Sequence, residues 1–362
     1  MTNAPDAPLA GLLVVETAGV LAGPATGMFF AELGARVVKL ENVRTRGDVT
    51  RAWKLPTEDP QSPVSAYFSS VNHGKEHVLT DLRTPEGRTL LDDLVRQADV
   101  LITNHLDVDA ENLGLHRDRL RSLNPRLLHG HIRGYAGDPT RPAYDVVLQA
   151  EAGYIGMTGT DEQHLAKLPV AMIDVIAAHQ LKEGLLLALW QRERTGKGAY
   201  VEVSLEEAAL TGLVNQASNQ LMAGHTAKPI GTLHPNIAPY GELFTCADGG
   251  RIVLAVGSDA QFAALCRALD IPGAADDPRF GTNSMRVANR RALAEWLTPA
   301  LALHERDRVL ARLRDAGVPA GAVNSIAEAL GTPTARSMVR ESTIDGVPTR
   351  RISGNALRIT SY

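Results

Sequence analysis

Cysteine is nearly absent from this chain, with Cys246 and Cys266 its only two. That is too few for a disulfide framework or a structural zinc site, and it fits a reducing compartment. Charge of one sign is also lacking. The 37 Lys and Arg stand against 41 Asp and Glu, for a formal net charge of −4. No broad field gathers nucleic acid or an anionic membrane, so an anionic ligand has to be held by a local pocket. No apolar run approaches the roughly 18 residues of a membrane span, and the first residues, MTNAPDAPLAG, carry no basic leader segment. The expected location is the cytoplasm, with neither nucleic acid nor membrane as partner. His225 and His234 have no acids or cysteines at ligand spacing beside them, so no metal is expected. Internal repeats, low-complexity tracts and heptads are absent as well.

What is present is apolar content of 44% over 362 residues, enough to fill two cores. The run Leu12–Glu16 reads as a strand. Gly19, Gly23, Pro24 and Gly27 punctuate a turn into a helix expected over Ala25–Leu33, and Arg36–Glu41 reads as the next strand. Three residues separate successive glycines, which is not the G-x-G-x-x-G of a dinucleotide fingerprint. Close packing of the turn on the sheet explains them equally well. Arg44–Tyr67 has little periodicity and three prolines, the pattern of a long ordered loop. Asn72–Lys75 is a polar turn that leaves Lys75 at the entrance of a strand expected over His77–Leu82, either solvated or placed for a phosphate. Thr84 and Pro85 open a helix that runs to Ala98. Strands then follow at Val100–Thr103 and Leu127–Ile132. Alternating strands and helices with short connections predict an α/β fold with a parallel sheet covered on both faces. Ligands in such sheets lie beyond the carboxyl ends of the strands, where Glu41, Asn104, His105, Arg133 and Tyr135 fall. Composition changes after residue 225. A smaller α+β domain is expected at 226–317, with 1–225 and 318–362 forming the larger one and a hairpin at Ile344–Ile359 rejoining it.

One acid stands out. Asp174 precedes a long pattern, Val175–Trp190, that is apolar nearly all round and predicts a buried helix, closed by Gly196. An aspartate there has free N–H groups and the helix dipole beside it, which suits both an N-cap and a reactive carboxylate.

The blocks AGPATGMFFAELGARVVKLE, GKEHVLTDLRTPEG, ADVLITN, LNPRLLHGHIRGYA, RPAYDVVLQAEAG, the Asp174 helix through RTGKGAYVEVSLEEA, HPNIAPYGELFTCADG and AGVPAG occur in order over Leu12 to about Asn324. In this the chain resembles the class III CoA-transferases of CaiB/BaiF type, which include formyl-CoA transferase and are related to the alpha-methylacyl-CoA racemases. The resemblance implies a Rossmann-like large domain, an interlocked homodimer, and acyl-CoA with a small carboxylic acid as substrates, without a metal. It places Asp174 on the family's catalytic aspartate, a carboxylate that attacks the thioester and carries CoA as an aspartyl thioester. With a reference pKa near 3.9, such a group is expected to be charged at neutral pH. The same matching implies a CoA site of Lys75, Asn104, His105, Arg133 and Tyr135, with Arg44 and Arg46 near the adenosine phosphates. Substrate contacts fall to Leu21, Tyr144, Asp145 and His234. The chain departs from formyl-CoA transferase at Leu21, where that enzyme has glutamine, at Asn112, where it has an arginine, and at Thr232–Pro235, which replaces a glycine run.

Several alternatives remain open at this level. A racemase would need a base where Tyr144 stands. A CoA isomerase would use Asp174 in the same way as a transferase. An NAD-dependent dehydrogenase is suggested by the first glycine turn and Glu41, but no Tyr-x-x-x-Lys pair supports it. A non-catalytic acyl-CoA binder would keep the pocket without the chemistry. Leu21, Tyr144 and Ile237 favour a short dicarboxylate or hydroxy-acid.

Overall fold

A computed structural model describes residues 7–360. Both ends of the expected larger domain, residues 1–6 and residues 361 and 362, lie outside the described residues. The chain divides into two compact units, one comprising residues up to 157, 166–227 and 337 onward, the other 158–165 and 228–336.

The first unit is built on six parallel strands, β1 (Leu13–Glu16), β2 (Arg36–Asn42), β3 (Glu76–Thr80), β4 (Val100–Thr103), β5 (Leu128–Arg133) and β6 (Ala199–Ser204). Their order is β3-β2-β1-β4-β5-β6, a doubly wound sheet whose direction of growth reverses between β1 and β4. Val15 pairs with Val38 on one side and Leu101 on the other. β4 is buried throughout, as a strand covered on both faces must be. One face carries the helices Ala22–Glu32 and Met172–Thr195, which bury Phe30, Ile173, Ala177, Leu181 and Leu185. The other carries Pro85–Gln97 and Arg117–Leu123, which bury Leu91, Val95 and Leu120. Each large apolar side chain among these contributes about 1.5–3 kcal/mol. Thr84 caps the Pro85 helix through the Gly87 N–H, and Gly196 closes the Met172 helix at φ 70°.

Several expectations need correction. The first helix begins at Ala22 rather than Ala25, because Pro24 falls within the first turn, where its missing N–H costs nothing. The Met172 helix is not buried all round, since Leu186, Leu187 and Trp190 are exposed. They lie on the outer face of the helix, while Leu181, Leu185, Ala188 and Arg192 stay buried on the inner one. The C-terminal hairpin lies earlier, at Val339–Ile344 and Val347–Ile352. The second unit reaches Arg336 and takes in Thr158–Leu165, beyond the expected 226–317. Pairing carries it past residue 317, since strand Ala320–Ala322 joins Arg251–Ala255 and Tyr240–Thr245 in one antiparallel sheet, and helices Asp259–Ala268, Arg290–Ala302 and Arg306–Asp315 cover it.

Below the first helix lies a buried charge network. Lys39 Nζ bonds Glu16 Oε1 at 2.9 Å and the Ala18 carbonyl at 2.6 Å, with Asp48 at 3.2 Å. Lys75 Nζ lies 2.9 Å from both Glu16 oxygens, the Pro24 carbonyl and Asn72 Oδ1. Gly27 is packed tightly onto this network, and a Cβ there would stand 1.8 Å from Glu16 Oε2. Glu16 is fully buried and held by two lysines, which leaves it little room to yield. Gly27→Ala is therefore expected to cost about 3–5 kcal/mol of stability, the range for breaking a buried ion pair, as measured by denaturant unfolding. Gly137→Ala, where a Cβ meets nothing within 4 Å, is the control that should change little.

Candidate active site

Beyond the carboxyl ends of the strands lie two cavities. The larger, about 520 Å³, is lined by the segments after β1 (Thr17–Val20), β2 (Asn42, Thr45, Gly47, Asp48), β3 (Asp81–Arg83) and β4 (Asn104, His105). The smaller, about 200 Å³, is lined by Leu21, Ile132–Gly134, Arg141, Leu205 and Asp174. Gly19, Val20, Asn104 and Tyr144 line both. Only the smaller holds Asp174, so the acid sits one wall away from the roomier cavity.

Asp174 is the third residue of its helix and 8% exposed. It is not the N-cap. Ala171 occupies that position, and among the described residues nothing donates a hydrogen bond to the Asp174 carboxylate. Burial first, and the charge of Asp145 second, push its pKa up to about 7. The expectation of a fully charged aspartate at neutral pH is thereby corrected. The helix dipole favours the anion, but desolvation outweighs it. Tyr67 also faces these acids, and burial with the charges of Asp174, Asp145 and Asp48 lifts its phenol to about 12.

The other expected residues divide. Leu21, at the N-cap of the first helix, and Tyr144 share the smaller cavity with Asp174. Asn104 lines both cavities, but its amide is committed to Gly19, accepting from the N–H at 3.0 Å and donating to the carbonyl at 2.9 Å. His105 lines the larger cavity with its ring against Thr17 Oγ1 at 3.1 Å, and burial lowers its pKa. Arg133 lines the smaller cavity while paired to Glu202 at 3.0 Å and Asp107 at 3.4 Å.

Other residues fall elsewhere. Lys75 is turned inward onto Glu16 with its side chain fully buried, so it has no free face for a phosphate. Burial pulls it down to about 8, with Lys39 adding to the effect and Glu16 opposing it. Tyr135 is buried, donates to Glu151 at 2.8 Å and lies under Arg141, lining neither cavity. Arg44 and Arg46 are exposed on the turn after β2, where their neighbours Thr45 and Gly47 line the larger cavity in their place. Asp145 lines neither cavity and is bonded within the fold. His234 belongs to the second unit, where its Nδ1 accepts from the Asn236 N–H and its ring meets Tyr240.

Sequence reasoning passes over Arg83, which lines the larger cavity and makes no ion pair among the described residues. It also passes over Lys39, whose one signal is a lysine flanked by the apolar Val37, Val38 and Leu40 in its strand. Glu41 is closed to a ribose. Against the cost of burial, hydrogen bonds from Arg51 and His77 hold it well below the usual carboxylate range. That removes the acid on which a dehydrogenase reading rests.

Residues 9–356 match the model of CoA-transferase family III. The chain belongs to that family. It is 38% identical to a succinate–glutarate CoA-transferase of Agrobacterium fabrum over 92% of this chain and 84% of the relative. It is 34% identical to an acetyl-CoA:oxalate CoA-transferase of Acetobacter aceti, over 99% and 90%. The crystal structure of a CaiB/BaiF family protein from Brucella suis superposes with a TM-score of 0.86 at 37% identity, covering 98% of this chain and 93% of that one. The activity of this family III member is that of a CoA-transferase, with a CoA thioester as substrate. Among the described residues no helix is long and apolar enough to cross a membrane, and no cluster of three or more acids, histidines or cysteines is disposed to hold a metal.

A buried acid titrating near 7 bears on stability. The folded pKa lies above the unfolded value near 3.8, so the folded state binds the extra proton between those values and stability falls as pH rises across that window. Above pH 7 the anion's burial costs about 4 kcal/mol, from some three pKa units at about 1.4 kcal/mol each. Asp174→Asn should therefore unfold at a higher temperature than the native protein at pH 8. The gap should close toward pH 4, as followed by circular dichroism.

Proposed function

We propose that this family III chain moves CoA from an acyl-CoA to a free carboxylate through covalent intermediates on Asp174. The observation that carries the reading is a desolvated carboxylate with no hydrogen-bond partner among the described residues, at the mouth of a helix, in a cavity adjoining the carboxyl ends of a doubly wound sheet. The ionised Asp174 attacks the thioester carbonyl, the C–S bond breaks, and CoA leaves as thiolate, giving a mixed anhydride. The thiolate attacks the aspartyl carbonyl and releases the first acid, leaving CoA on Asp174 as a thioester. The acceptor carboxylate attacks that thioester and expels thiolate, and the thiolate takes the new acyl group and frees Asp174. One thioester replaces another, so the exchange is close to isoenergetic.

The larger cavity suits the nucleotide end of CoA. Arg83 is its cation without an ion pair among the described residues, with Arg44 and Arg46 on the adjoining turn, and phosphate recognition wants such groups. The smaller cavity takes the acyl group against Leu21 and Tyr144. The names of the relatives, acting on succinate and glutarate or on acetyl-CoA and oxalate, support a short dicarboxylate as one substrate. Racemisation fares worse. Asp174 is the one acid lining the smaller cavity, with no histidine among the described residues there, so no second base opposes it. The exposed Leu187, Trp190, Leu210, Val214, Leu221 and Met222 support the homodimer, since apolar side chains exposed in that number call for cover.

Borohydride trapping tests the covalent step. After incubation with a panel of acyl-CoAs that includes succinyl-CoA, reduction should convert Asp174 to homoserine, seen by peptide mass spectrometry. The label should be absent in Asp174→Ala, with turnover lower by at least about 10³-fold. Turnover without any label on Asp174 would overturn the mechanism. Separately, Arg83→Ala should raise KM for acyl-CoA by about 10-fold or more with little change in kcat, as expected for a lost charge-assisted phosphate contact. Steady-state kinetics decide it.

A further inference from the structure

Asp145 opens the helix Asp145–Glu151. Its Oδ1 accepts the Ile173 N–H at 2.8 Å and its Oδ2 accepts from Gln149 Nε2 at 2.5 Å. Gln149 is fully buried, and its Oε1 accepts the Leu168 N–H at 2.8 Å. The two side chains thus hold both ends of the segment 168–173 that delivers Asp174. Both Asp145 oxygens act as acceptors, the pattern of a carboxylate. The amide it occupies belongs to the residue just before Asp174, in the first helical turn, where free N–H groups would otherwise serve a neighbouring anion.

We infer that Asp145 is a positioning residue for Asp174, taking the Ile173 amide and setting a second carboxylate beside a nucleophile that is left without hydrogen bonds. This rests on the reading of Asp174 as the nucleophile. A carboxylate whose lone pairs engage no donor is the more reactive toward a thioester carbonyl, and the adjacent negative charge raises its basicity further. The remaining groups that face Asp174 do not cancel the effect. Tyr67 comes from the helix Ala66–Val71, with a phenol that burial and the nearby acids keep neutral. Arg133 and Arg141 line the same cavity, but each is paired to its own acid, Arg133 to Glu202 and Asp107 and Arg141 to Glu151. The arrangement differs from a substrate contact, because Asp145 lines neither cavity.

A charge swap separates this role from plain scaffolding. In Asp145→Asn the amide oxygen still serves Ile173, but its nitrogen meets the Gln149 nitrogen, donor against donor. The double variant, Asp145→Asn with Gln149→Glu, removes that clash. The carboxylate introduced at position 149 accepts from both the amide introduced at position 145 and the Leu168 N–H. All three hydrogen bonds survive, and the charge moves from beside Ile173 to beside Leu168. The full-length protein is used, and two readouts are taken. The first is the pH dependence of Asp174 labelling by succinyl-CoA in a single turnover, trapped with borohydride. The second needs no substrate. It is the pH above which the stability gap to the matching Asp174→Asn variant stops growing, which marks the folded-state titration of Asp174.

The expected result in the double variant is a labelling midpoint, and a pH at which the stability gap levels off, each lower by about one unit, with a thermal midpoint close to that of the native protein. A double variant whose stability gap levels off at the native pH would overturn the inference and leave Asp145 as scaffold alone. If Asp174 is never labelled in the native protein, the covalent mechanism fails instead, and the stability readout still decides whether the charge of Asp145 reaches Asp174.

Discussion

The first unit depends on a lysine buried in the second strand of the sheet. Lys39 is 1% exposed in β2 and is neutralised by Glu16 and Asp48, while Glu16 is shared with Lys75. Two cations and two anions, all buried, satisfy one another, and removing any one would leave an uncompensated charge at a cost of about 3–5 kcal/mol. A network of this kind is weak evidence of net stability, since a well-packed apolar set would serve as well. Its value is geometric. Asp48 also accepts from the Val20 N–H, and Val20 is a β-branched residue held at φ 71°, a conformation that costs roughly 1–3 kcal/mol unless its surroundings enforce it. The charge network enforces it, and the bend at Val20 sets Leu21 on the wall of the Asp174 cavity.

From that bend the two cavities follow. The same short segment, Gly19 and Val20, forms a wall of each, and Asn104 ties it down by bonding Gly19 through both amide atoms. The partition between a site at the switch point of the sheet and a site at the mouth of a helix is therefore held by backbone, which tolerates little drift. Reacting atoms misplaced by about 1 Å can lose about 10²-fold in rate, so under the proposed CoA transfer a rigid divider between the two cavities would hold the two ends of one long substrate in place.

Much of this is legible from residue pattern, and what is not has definite causes. The strands of the sheet can be read because short apolar runs bounded by turns have few other homes, and the switch point follows from their connections. Asp174 stands out because an acid between an apolar run and an apolar helix is anomalous. Lys75 escapes the pattern because a polar turn before a strand says nothing about which way a long side chain folds, and here it folds inward to meet Glu16, distant in sequence. Tyr135 follows a strand end, as a ligand-binding residue would, yet its ring closes the core instead. Leu186, Leu187 and Trp190 read as buried because periodicity reports apolarity and not what covers it. The extension of the second unit past residue 317 is hidden because the strand Ala320–Ala322 has three residues and is defined by its partner rather than by its own composition.

Asp174 shows how far the local rules carry before tertiary context overrides them. Reference pKa and helix dipole both argue for a charged aspartate at the start of a helix. Burial to 8% exposure and a second carboxylate nearby argue the other way, and they win, bringing the group to about 7. A carboxylate with an ordinary pKa is a poor nucleophile as well as a stable anion, because the hydration that lowers its pKa also covers its lone pairs. Removing that hydration raises both basicity and reactivity, up to the point where the acid would be protonated at working pH. A value near neutrality sits at that limit, with about half of the groups ionised at pH 7. Holding such a group lowers stability above pH 7, a cost that accords with the nucleophilic role proposed for it.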